Sequence, residues 1–122
     1  MNMFLVGCGL YAGFVSLIHI VIGGKDVLRP TLDADFDEVA KQTIHVCWHL
    51  VSINLVLFSA ALLWMGCTHI IHEGLIHFIS AHLVLYSGAF VVIALHSHIK
   101  RALIQLPQWG LLLPLGVALL WL

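Results

Sequence analysis

His45 and His49 stand four residues apart in the stretch 43–54, TIHVCWHLVSIN. Four helical residues at about 100° each bring side chains back into line, so both imidazoles fall on one face. Imidazole nitrogen is a ligand for zinc, iron, copper and nickel. Two further histidines are candidates for the same role: His19 closes the first apolar run and His96 closes the third. Together His19, His45, His49 and His96 would supply three or four nitrogens to a metal site of the kind bundles build from facing helices. A second chemistry fits the same residues. Two histidines on different helices, His49 and His96 first among them, suit the axial positions of haem b, with the small residues of the first run making room. A transition metal (Fe, Cu or Zn) or haem b is therefore the cofactor these residues suggest. Asp26, Asp33 and Asp35, from the polar stretch between the first two runs, would close the site or orient a ligand histidine.

Against this stands a plainer use of the nine histidines. A histidine in a membrane helix commonly hydrogen-bonds to backbone or to a neighbouring helix, and the group would then be a polar patch holding a bundle in register. A proton or substrate path is a third use, for which Asn54 and His82 near mid-membrane would matter more. Other chemistries lack support. No nucleophile stands beside a base, and no phosphate-binding loop occurs. HEGLIH at 72–77 has one residue too many for a zincin motif, so His72 and His77 point about 140° apart. Asp33, Asp35 and Asp37 alternate as in a calcium loop, but the sixth and twelfth positions are Glu38 and Ile44 rather than glycine and glutamate. Cys8, Cys47 and Cys67 form no CxxC pair and read as packing residues.

These residues sit in a very apolar chain. Its 122 residues are 61% hydrophobic and 9% charged, against roughly 25% charged in soluble domains. The composition is that of a membrane protein, with the lipid bilayer as its first partner. A net charge of -1 without a basic stripe argues against nucleic acid. Four runs are long enough to cross a bilayer: residues 3–22, 44–65, 75–95 and 103–122. The first lacks the basic start and small-residue close of a cleaved signal peptide. Its Gly9 and Gly13 make a GxxxG spacing, which either admits a close helix or reflects the glycine content of membrane helices. Gly23 and Gly24 are expected to end it. The polar loop 23–42 holds three of five basic and five of six acidic residues. Asp35 with Glu38 predicts a capping box that starts the second helix near Phe36. Pro107 suits the opening turn of the fourth run, and Pro114 should kink it.

Lys25, Arg29, Lys41, Lys100 and Arg101 all fall in the first and third loops, which the positive-inside rule places in the cytoplasm. Both termini are then outside. The expected architecture is all-α, one transmembrane domain over 1–122, a four-helix bundle of antiparallel up-down topology. On this topology His19, His45, His49, His96 and His98 lie towards the cytoplasmic face, and His69, His72 and His77 towards the other. His82 lies about 21 Å along the helix from His96.

His19-Ile20-Val21-Ile22-Gly23, followed by Pro30, and Trp48-His49-Leu50-Val51-Ser52 resemble a pair of motifs in a group of small bacterial integral membrane proteins of about this length. Those look like four-helix proteins in which a histidine and glycine close the first helix and a WHL-type motif opens the second. The resemblance covers the first half of the chain. It implies the topology, an inner-membrane location and a place for His19 and His49, but no activity. Gly24 departs from it, since an acidic residue is expected after the glycine; were that acid a ligand, its absence would count against a metal. The histidine-rich third run has no counterpart there.

Three functions follow as expectations. One is a metal or haem protein with a redox or metal-handling role. Another is an accessory or assembly subunit that docks a larger membrane complex through its glycines and aromatics. The last is a proton-coupled carrier. A membrane-protein partner or a homo-oligomer is a further expectation.

Overall fold

A computed structural model describes all 122 residues, and every regular element in it is a helix. The chain divides into two compact units, Met1–Cys67 and Thr68–Leu122. Three helices are long and apolar enough to cross a membrane: Met3–Asp33, Glu38–Thr68 and Glu73–His96.

In the first unit, helix α1 spans Met3–Leu17. Asn2 caps it, its Oδ1 accepting from the amides of Phe4 and Leu5 at 3.1 and 3.2 Å. The helix does not stop at Gly23 and Gly24. It continues as a π-helical segment, Ile18–Leu28, and then as α2, Arg29–Asp33. No glycine in the chain has positive φ, so neither of the pair adopts the left-handed conformation that terminates helices. The wider π turn ends with the Arg29 amide donating to the Gly24 carbonyl. Pro30, which has no N–H to donate, falls in the first turn of α2, where that loss is tolerated.

The expected loop 23–42 is thus mostly helix, reduced to residues 34–37. Helix α3 then runs Glu38–Thr68. Its cap is Asp37, not Asp35: the Asp37 Oδ1 accepts from the Ala40 amide at 2.8 Å, a bond from the capping residue to the third helical position.

Helices α1 and α3 pack antiparallel through small residues. A Cβ on Gly9 would stand 2.8 Å from the Leu63 amide nitrogen, and one on Gly66 would stand 2.8 Å from that of Val6. The backbones therefore meet where no side chain fits. The GxxxG pair serves this intramolecular crossing. It is fastened by the Ser59 hydroxyl, which donates to the Gly9 carbonyl at 2.8 Å, and by the Asn2 amide, which donates to the Gly66 carbonyl at 2.7 Å.

The second unit pairs α4, Glu73–His96, with α6, Gln108–Leu119. It uses the same device. The Ser80 hydroxyl donates to the Gly116 carbonyl at 2.6 Å, and a Cβ on Gly116 would meet Val84 at 2.9 Å. The run expected as one span over 103–122 is instead two helices, α5 (Ala102–Gln105) and α6, interrupted at Leu106 and Pro107. Pro107 opens α6 as expected. With 12 residues, α6 is about 18 Å long, short of a full bilayer crossing.

Candidate functional site

The histidine pair on α3 is the one place where the structure sets two ligand nitrogens face to face. The Nε2 atoms of His45 and His49 are 3.2 Å apart, and their ring centroids are 4.9 Å apart. One helical turn separates the residues, which suffices to bring the rings together. His49 is exposed and His45 half-exposed.

What holds them outward is the residue between them. Trp48 turns towards the first helix, where its indole stacks on His19 with centroids 4.1 Å apart and planes 15° from parallel. Gly23, one π turn after His19, leaves room for that indole: a Cβ there would come within 2.7 Å of Trp48 Cη2. The chain thus brings His19, Gly23 and Trp48 into one cluster. With Trp48 anchored inward, His45 and His49 are rotated about 60° and 100° away from it around the helix. His19 belongs to the cluster and not to the pair, and its Nε2 is buried without a hydrogen-bond partner.

In the second unit, three histidines of α4 use Nδ1–H in the same way. His77 donates to the Glu73 carbonyl at 2.8 Å, His82 to Phe78 at 3.3 Å and His96 to Val92 at 2.9 Å. A carbonyl only accepts, so in the neutral ring Nδ1 carries the proton and Nε2 keeps its lone pair. His82 also sits in a ladder of rings, 4.4 Å from Phe78 and 5.7 Å from Tyr86. These backbone bonds are what the plainer reading of membrane histidines anticipates.

No group of three or more His, Cys, Asp or Glu side chains is placed to hold a metal ion. Asp26, Asp33 and Asp35 are exposed on the π segment, at the end of α2 and in the turn after it. Of the cysteines read as packing residues, Cys8 is buried, whereas Cys47 and Cys67 are exposed. Trp48, expected only as part of the WHL-type motif, turns out to have an inward role. Its spacing carried a signal, since residue 48 shares the face of Ser52, Leu55 and Ser59, which are buried.

The chain matches no family model, no curated protein and no solved structure.

Proposed function

We propose that this is a small integral protein of a bacterial inner membrane that binds a transition metal through His45 and His49, in a metal-handling or redox role. In this reading its runs are arranged up and down with both termini outside, and the pair lies near the cytoplasmic surface. The confinement of all basic residues to two regions supports that orientation.

The observation that carries the metal is the 3.2 Å between the two Nε2 atoms. Two nitrogens bound at about 2.0–2.1 Å to a tetrahedral ion stand about 3.3–3.4 Å apart, whereas a right-angled pair stands about 2.8–3.0 Å apart. The spacing favours a tetrahedral ion such as zinc. Haem is less well served by this pair, because axial ligands approach iron from opposite sides. His96, with Nδ1 bonded and Nε2 available, keeps the form a haem or metal ligand needs.

A second reading draws on the same contact. One neutral imidazole donating Nε2–H to the other also gives 3.2 Å, and the pair would then be a polar patch on an accessory subunit of a larger complex. Elemental analysis of the detergent-purified protein, repeated on His49→Ala, separates the two. The metal reading expects bound metal in the parent and its loss in the variant. Equal and negligible metal in both leaves the polar patch.

A further inference from the structure

Two imidazoles complete only half of a tetrahedral coordination sphere, and no third ligand of this chain joins them. The missing half must come from outside. Two features of α3 indicate from where.

The first is the surface around the pair. Val46, His49, Ile53, Val56 and Ala60 are all exposed, at alternating spacings of three and four residues. Val46, Ile53 and Val56 are 58%, 54% and 47% exposed. Such spacing makes a straight seam along a helix, the pattern by which two helices interdigitate. It lies about 120° round α3 from the buried stripe of Ser52, Leu55, Ser59 and Leu62 that faces α1. The first unit therefore leaves a second helix-packing face open, with the histidine pair at one end.

The second is symmetry. Copies inserted in one orientation are related by a two-fold axis along the membrane normal, which sets identical residues at identical depth. A second copy is thus a partner certain to present two imidazoles level with the first pair.

We propose that two copies of this chain meet along the exposed seam of α3 and share one zinc ion, held by His45 and His49 of each. This rests on the metal reading above and adds the source of the other ligands. Four neutral imidazoles fill the sphere of a structural zinc site and leave no open position. The ion then ties two subunits together, and because zinc has no redox chemistry the redox alternative of that reading does not apply to it.

The test is the mass of the full chain in detergent, measured by light scattering with the detergent contribution subtracted, together with zinc content. Chelator-stripped protein is compared with protein given zinc alone. The expected result is a doubling of protein mass on adding zinc, one zinc per two chains, and a monomer for His49→Ala under both conditions. A monomer holding one zinc per chain overturns the shared site while leaving the metal reading intact. A dimer that persists in chelator and in His49→Ala also overturns it, since zinc would not be what closes the interface. No zinc uptake removes both readings.

Discussion

His19 and Trp48 lie face to face, 4.1 Å between ring centroids, and this stack joins the π segment to the start of the second membrane helix. Aromatic stacking adds about 0.5–1.5 kcal/mol beyond the area it buries. Set against this gain, the His19 Nε2 is buried without a partner, and an unsatisfied polar group costs about 1–3 kcal/mol.

Phenylalanine keeps the stacked ring and removes the orphan nitrogen. His19→Phe is therefore expected to unfold at the same temperature as the parent or higher, and to bind zinc unchanged. Thermal unfolding followed by circular dichroism, with zinc titration on the same sample, reads both. Loss of zinc binding would make His19 a ligand and break the division between the pair and the cluster.

The α1–α3 crossing depends on absent side chains. Gly9→Leu places atoms against the Leu63 backbone, and overpacking of this kind costs roughly 1–3 kcal/mol. Gly88→Ala makes the opposite prediction. Nothing lies within 4 Å of that position, so removing a mid-helix glycine should stabilise by roughly 0.5–1 kcal/mol. Denaturation of the two variants in the same detergent checks the contrast. Equal effects would mean that the close approach at Gly9 does not hold the unit together.

Ser59 and Ser80 make matching bonds to glycine carbonyls of their partner helices. Ser16 and Ser87 instead bond within their own helices, to the carbonyls of Ala12 and Leu83. Interhelical bonds in membranes average about 0.6 kcal/mol and reach about 1.7 kcal/mol. Ser59→Ala and Ser80→Ala should each lose an amount in that range, and Ser16→Ala and Ser87→Ala less. Unfolding free energies of the four variants would settle the ordering.

Much of this is legible in the sequence. Apolar length marks four runs, three of which lie in helices long enough to span, and a spacing of four marks the His45–His49 pair. What escaped the sequence reading depended on contacts between distant segments. Gly23 and Gly24 look like a stop because glycine favours left-handed ends, but here Trp48 fills the space beside Gly23 and the helix continues to Asp33. Asp35 and Asp37 are equivalent as caps in composition, and only the path of the chain selects Asp37. Pro107 suits the opening turn of a run expected to be unbroken over 103–122; the interruption at Leu106 and Pro107, which leaves a last helix of 12 residues, is visible only in the fold.

The metal account is tested most directly with cobalt(II), which takes zinc sites and absorbs strongly in the visible only when tetrahedral. Titrated into chelator-stripped protein, it should develop those bands in the parent. In His45→Ala and His49→Ala its affinity should fall by more than about tenfold, the lower bound for losing even an outer-shell partner of a ligand. A parent spectrum identical to that of aqueous cobalt, or bands that survive both substitutions unchanged, would contradict the assignment.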